Sequence, residues 1–321
     1  MTTQYIRKSS LIIGSDTGDS LDLSTLRFRF SVRRGDNQTP NSADIRVYNV
    51  SDNTAARVQN EFTQVVLQCG YEGNFGVIFY GTVKQIRKGR ESQTDTYLDI
   101  TAADGDSAYN YSTSSYALAA ANTSPKGVIA NILKDLAQYS ISQAELPTVA
   151  GTPLPRGKVI HGMTRDELRK VAANTQTAWS IQNGALTFIP LTSYLPGDVP
   201  VITSATGMIG IPEQTQNGIR VRILLNPNIK IGQAVKLDNN SINRLRYSLA
   251  LGAQSQNLNT ALLAKTNADG LYYVMRADHA GDTRGNDWYS DLTCLAIDAT
   301  VSSSSAITFP APQEVAIKID G

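Results

Sequence analysis

The sequence predicts an α+β protein that is mainly β, with two β-units flanking or interleaved with a small α/β unit. Three observations lead there. Apolar and polar residues alternate through the first hundred positions, as where Leu26, Phe28, Phe30 and Val32 interleave with Arg27, Arg29, Ser31 and Arg33. Capped helical stripes and an Asn-Gly hairpin are confined to the middle of the chain. Alternation then returns at Gly218 to Leu225, with Ile219, Val221 and Ile223 on one face. A length of 321 residues fits two or three packed units, taken here as 1–105, 106–190 and 191–321.

In the first unit, Leu26 to Val32 forms a strand with one apolar and one basic face, and Gly35 to Asn41 is loop chemistry. Ala43, Ile45, Val47 and Asn49 alternate with Asp44, Arg46 and Tyr48 in a second strand. Ser51 caps a short helix from Asp52 to about Asn60, its hydroxyl accepting an orphan backbone N–H. Gln64 to Tyr71, Val77 to Ile86 and Thr94 to Ala102 complete a small barrel or sandwich. Gly70 to Gly76 lacks the Lys and strand-to-helix context of a phosphate loop and reads as a hairpin connection.

In the middle unit, Tyr109 to Thr123 carries no clear period. Ser124-Pro125 starts a helix to about residue 139, with Val128, Ile129, Ile132, Leu133 and Leu136 on one face. Pro147 to Pro155 reads as a linker, and Thr164-Arg165-Asp166-Glu167 as a capping box for a second helix. Trp179 to Gln182 and Ala185 to Ile189, joined by Asn183-Gly184, read as a type I′ hairpin. In the last unit Asn226-Pro227-Asn228 turns the chain into a strand at Ala234 to Leu237. A short helix around Leu258, strands at Leu271 to Ala277 and Leu292 to Ala299, and a final strand at Val315 to Ile319 follow.

Composition excludes several function classes. Lys plus Arg is 29 and Asp plus Glu 28, so the net charge of +1 gives no overall field for nucleic acid or an anionic membrane. Apolar residues at 41% supply a real core and argue against wholesale disorder. The start Met1 to Lys8 has no apolar run of a secretory signal, and no segment is long and apolar enough to span a bilayer. Cys69 and Cys294, in apolar strand contexts, are expected as buried free thiols rather than a disulfide framework.

Side-chain chemistry is sparse. His161 and His279 are far apart and no paired metal-ligand spacing occurs, so no metal and no cofactor are expected, and His161 reads as structural. The stretch Asp278 to Asp287 reads as an acidic loop; its Asp282 and Asp287 offer either a carboxylate pair for glycan cleavage or oxygen ligands for a cation, against side chains that satisfy local backbone N–H groups. Basic residues cluster at Arg27, Arg29, Arg33, Arg34 and Arg46, and at Lys84, Arg87, Lys88 and Arg90. They alternate with core positions without interleaved stacking aromatics, as on a solvated or subunit-facing sheet rather than a nucleic-acid groove.

A family resemblance then emerges. Thr39 to Ser51 resembles the strand-into-helix signature of phage tail hub proteins, and Gly70-Tyr71-Glu72-Gly73, Val77 to Gly81 and Ala103-Asp104-Gly105 continue it in order. Gly207 to Pro212, Gly218 to Arg222 with Leu225-Asn226-Pro227, and Gly281 to Tyr289 are similar to later hub segments. The resemblance is to baseplate hubs of contractile phage tails of the phage Mu type, related to the base of type VI secretion spikes. It implies two tail-tube-like β-barrel domains in 1–105 and 191–321, around a small α/β domain in 106–190. It implies a homotrimer whose six barrels adapt the sixfold tail tube to the threefold central spike, with tape measure and baseplate wedge proteins as further partners. It carries over no catalytic residue and places the protein in the virion after synthesis in the host cytoplasm. Arg27, Arg29, Ser31 and Arg33 are the expected subunit-interface residues. A tail-associated glycan-cleaving enzyme and a tail-tube or distal tail protein are the alternatives.

Overall fold

The computed structural model describes residues 5–15, 18–143, 153–191, 193–215, 218–237 and 270–296. The chain opens with β1 (Arg7–Gly14) and β2 (Ser20–Asp22), which the sequence pattern did not announce. β1 begins in a polar run, Arg7 to Ser10, and only Leu11 and Ile13 are wholly buried, too few to show a period. Then come β3 (Phe28–Gly35), β4 (Ser42–Tyr48), α1 (Asp52–Glu61), β5 (Gln64–Tyr71), β6 (Asn74–Arg90) and β7 (Thr96–Ala103). Phe28, Phe30 and Val32 point inward as expected. The Ser51 hydroxyl accepts from the Thr54 N–H at 3.2 Å, which satisfies one donor of α1. β6 is longer than expected at both ends, because its polar second half continues along β7.

The middle region holds α2 (Asp106–Tyr111), β8 (Thr113–Leu118), α3 (Pro125–Ala137), β9 (Ser142–Gln143), β10 (Lys158–Met163), α4 (Thr164–Asn174), β11 (Thr177–Gln182) and β12 (Ala185–Pro190). Ser124 caps α3 by accepting from the Gly127 N–H. The expected capping box does not form. Met163 is the cap residue of α4, the Thr164 hydroxyl turns to Ser112 and Ser114, and Glu167 pairs with Lys170 at 2.5 Å. Asn183 and Gly184 have φ of 52° and 73°, the two positive values a type I′ hairpin requires. Most of the expected linker at Pro147 to Pro155 lies outside the described residues.

The last region holds β13 (Val201–Ile202), β14 (Met208–Thr215), β15 (Gly218–Leu224), β16 (Ala234–Leu237), β17 (Leu271–Asp282) and β18 (Trp288–Ala296). The acidic loop is corrected: Asp278 to Asp282 finish β17, and only residues 283–287 turn the chain into β18. The expected helix near Leu258, the end of the strand to Ala299 and the strand at Val315 to Ile319 fall outside the described residues.

The fold is α+β and mainly β. One 13-stranded sheet runs β14-β15-β18-β17-β3-β4-β7-β6-β5-β1-β2, with β16 on β17 and β13 on β16. The path is open, and among the described residues no closed barrel forms. Within it one order occurs twice: β3-β4-β7-β6-β5 and β14-β15-β18-β17-β16. Three apolar clusters fill the interior. One is built on β1 to β7 with Leu225 and Trp288, one on α2 to β12, and one on β13 to β18 with Ile189. Cys69 and Cys294 are buried free thiols.

Candidate subunit interface

Alternation along β3 sends its apolar residues into the core and leaves Arg27, Arg29, Ser31 and Arg33 outside, where the neighbouring strands add further charge. Asp282, Arg29, Arg46, Asp99 and Arg87 stand opposite one another across β17, β3, β4, β7 and β6. Arg222, Asp291, Asp278 and Arg33 form a second row across β15, β18, β17 and β3. Arg29 faces Arg46 and Asp278 faces Asp291, but every arginine in the two rows also has an aspartate directly beside it, so the face largely neutralises itself instead of presenting a field for nucleic acid.

Two arginines of the expected interface are already engaged within the chain. The Arg27 and Arg29 guanidiniums converge on the Asp282 carboxylate at 2.8 and 3.0 Å, and Arg29 also donates to the Tyr48 hydroxyl at 3.1 Å. The Arg27 guanidinium lies 4.8 Å from the Tyr48 ring centre. Arg33 has only a loose ion pair with Asp44, at 3.9 Å, and Ser31 is half-buried. Arg34, grouped with the exposed basic residues by sequence, is 5% exposed. It falls on the inward parity of β3 and donates to Gln182 Oε1 at 3.2 Å.

Burial alone would raise the Asp282 carboxyl, but hydrogen bonds from Arg27, from the Arg284 N–H and from Arg29 more than offset this and hold it below its ordinary value. A carboxyl held ionised in this way is a poor proton donor, which leaves Asp282 only the nucleophile or base role in glycan cleavage with Asp287, and both its oxygens already accept from Arg27, Arg29 or the Arg284 N–H. His279 is buried and pushed down to about 3 by burial and the nearby Arg34 charge; its Nδ1 pairs with the Ser290 hydroxyl at 2.7 Å. It stays neutral at physiological pH. His161 is exposed on β10 beside Ser115, at 3.4 Å. Among the described residues no group of three or more His, Cys, Asp and Glu side chains is placed to hold a metal.

Asp282→Asn is expected to cost about 1–2 kcal/mol, less than a buried pair, because both arginines are close to half exposed. The sign in pH follows from the lowered folded value. The stabilisation is present above the unfolded value near 3.8 and fades as pH falls below it, so urea unfolding at pH 7 and pH 3 should separate the proteins far more at pH 7.

Sequence reasoning missed a second arrangement on this face. Arg46 on β4 grips Asp99 on β7 through Nε and Nη2 at 2.7 and 3.0 Å, with its guanidinium 4.0 Å from the Tyr97 ring centre. Arg222 on β15 grips Asp291 on β18 through the same atoms at 2.7 and 2.9 Å, with its guanidinium 5.6 Å from the Tyr289 ring centre. In both places the tyrosine precedes the aspartate by two residues on the third strand of the repeated order. The paired Arg and Tyr-x-Asp were visible in sequence, but only strand pairing identifies them as equivalent.

The chain is similar in fold to a 43 kDa tail protein of prophage MuSo2 from Shewanella oneidensis, at 8% identity and a TM-score of 0.57, over 91% of this chain and 98% of that one. A tail protein from Neisseria meningitidis MC58 gives 10% identity and 0.56, over 91% and 97%. The Escherichia coli c3393 protein, a type VI secretion component described as similar to the T4 tail proteins gp27 and gp5, gives 8% and 0.51, over 85% and 74%. No curated protein matches the chain. Among the described residues no helix is long and apolar enough to cross a membrane. The family model described as baseplate hub gp41 matches residues 11–248, and its members are structural proteins of the virion tail, not enzymes. With most of its length inside that match, the chain belongs to the baseplate hub gp41 family.

Proposed function

We propose that three copies of this chain form the hub ring of a contractile tail baseplate, each contributing two tube-like β-modules, so that six modules meet the sixfold tail tube above a threefold central spike. The observation that carries this reading is the strand order used twice in one chain, with Arg46–Asp99 and Arg222–Asp291 at the same place in each use. Two like modules per chain turn threefold symmetry into a near-sixfold surface, and closing a ring is how open sheet edges are protected. The modules correspond to 1–105 and 191–321, and the region 106–190 braces them. The outward face of β3 is the surface offered to a neighbouring subunit, with Ser31 and Arg33 the contributors, since Asp282 already holds Arg27 and Arg29. Tail tube, central spike, tape measure and wedge proteins are the partners of this reading, and the chain enters the virion after synthesis in the host cytoplasm.

Size-exclusion chromatography with light scattering should give three times the 34.7 kDa chain mass, alone or with a spike protein. Electron microscopy should then show threefold rings with six similar lobes. A monomer under every condition, or stacks with true sixfold symmetry, overturns the hub ring.

A further inference from the structure

Two dipeptides prone to chemical ageing meet at one point of this fold. In Asn183-Gly184 the Gly184 backbone nitrogen, once hydroxide has taken its proton, can attack Asn183 Cγ. The Cγ–Nδ2 bond breaks, ammonia leaves with a proton from water, and a second water opens the succinimide to aspartate or isoaspartate. In Asp104-Gly105 the Gly105 nitrogen can attack the protonated Asp104 carboxyl in the same way, with water as the leaving group. A following glycine eases both attacks, because no Cβ hinders the nitrogen.

The fold sets the two dipeptides against each other. Asp104 Oδ1 accepts from the Gly184 N–H at 2.9 Å, and Oδ2 from the Asn183 N–H at 2.5 Å. The nitrogen that would attack Asn183 is therefore donating to a carboxyl group, and negative charge beside an N–H makes its proton harder to remove. The carboxyl that Gly105 would attack has one oxygen on each N–H of the hairpin turn, so it is held away from its own backbone. The surroundings are closed. Asp104 is 1% exposed, and Gly184 is buried with the Tyr80 ring where a Cβ would stand. The Gly184 carbonyl accepts from the Ser142 N–H at 2.9 Å, and Gly105 packs on the Ile181 side chain. Water and hydroxide, which start and finish both reactions, have little access.

We infer that Asn183 and Asp104 are two succinimide-forming modification sites that the fold silences as a pair, each supplying the hydrogen bond that keeps the other from cyclising. Their place in the fold gives the pairing its consequence. Isoaspartate at 183 adds a carbon to the backbone of a two-residue turn that has positive φ at both positions. That turn is also where the first β-region is fastened to the middle one: Asn41 donates to the Ile181 carbonyl, and Asn41 and Arg34 both donate to Gln182 Oε1. Ageing at either site therefore loosens this joint.

Ageing the full chain at pH 8, followed by tryptic peptide mapping, tests the inference; mapping separates Asn183 from Asn217, the other asparagine followed by glycine. In guanidinium chloride the chain should form isoaspartate at 183 and, more slowly because a carboxylate is the weaker electrophile, at 104. In the folded wild type, conversion at Asn183 should be at least about tenfold slower, the least that opening one hydrogen bond to a charged group implies. Asp104→Ala should recover most of the unfolded rate at Asn183 while circular dichroism still shows a folded chain. Trp288→Ala, of similar expected cost but in the core built on β1 to β7, should leave Asn183 protected. Folded wild type converting at the unfolded rate overturns the inference. So does an Asp104→Ala protein as well protected as wild type, or a Trp288→Ala protein that ages as fast as Asp104→Ala. Where Asp104→Ala does not fold, hydrogen exchange of the wild-type Gly184 amide decides: slow exchange supports the lock, and exchange at the unprotected rate overturns it.

Discussion

Replacing Trp288 with alanine is expected to cost about 3–5 kcal/mol, the range for deleting a large buried aromatic, and to weaken the first and last β-regions together. Trp288 belongs to β18, yet its ring is wholly buried in the core built on β1 to β7. It meets Phe30 edge-on at 5.4 Å, donates from Nε1 to the Gly70 carbonyl at 3.3 Å, and is covered by the Arg7 guanidinium at 5.6 Å. Arg7 is itself held by the carbonyls of Gly285 and Asn286 in the turn before β18. Alanine leaves a cavity among Phe30, Gly70 and Gly281 that the rigid strands around it fill poorly. Hydrogen exchange should show amides of β5 and β18 losing protection in step. The only other tryptophan, Trp179, lies in the middle core, so its fluorescence reports separately on that region. Protection lost in β18 alone, or a cost under about 1 kcal/mol, contradicts the shared core.

Elements specified by a few consecutive residues were legible in the sequence. Ser51 and Ser124 cap the helices they were read to cap, and Asn183-Gly184 makes its hairpin, because each depends on one side chain or dipeptide and its immediate backbone. Thr164-x-x-Glu167 failed where a distant competitor was stronger: the Thr164 hydroxyl is 2.7 Å from Ser112 and 3.0 Å from Ser114, groups no local window contains. β1 failed for lack of periodicity, since most of its residues pair with β5 without facing a core.

The outward face was half legible. Parity along β3 placed Arg27, Arg29, Ser31 and Arg33 outside, and the same parity carried one residue further puts Arg34 inside. That signal was present and unused, because an arginine biases any reading toward the surface. Nothing local announces that Asp282 closes over Arg27 and Arg29, which are more than 250 positions away. The repeat was hidden for a related reason. Residues between the strands differ in number, so the two Arg and Tyr-x-Asp sets have no common spacing, and only the pairing registers align them.

Asp104→Ala is expected to cost about 2–4 kcal/mol, the range for leaving two backbone donors without their acceptor. Asp104 directly follows β7, is 1% exposed, and accepts from the Asn183 and Gly184 N–H groups in the β11–β12 turn. It also supplies the negative charge felt by Arg34, whose guanidinium otherwise has the Gln182 side chain and the Ile78 carbonyl as partners. Without Asp104 two turn donors lose their acceptor and a buried cation loses its counter-charge. The pH dependence is opposite in sign to that of Asp282. Burial pushes the Asp104 carboxyl up to about 6, so the folded protein holds this proton more tightly than the unfolded chain, whose value is near 3.8. The wild type therefore gains stability from this group as pH falls from 7 toward 4, and Asp104→Ala does not share the gain. The difference between the two proteins in urea should accordingly be wider at pH 5 than at pH 8. Arg34→Met in the Asp104→Ala background should recover part of the loss, because it removes the uncompensated charge while keeping an apolar stem in the same space. A double variant no more stable than Asp104→Ala would place the whole cost in the hairpin turn and none in the charge.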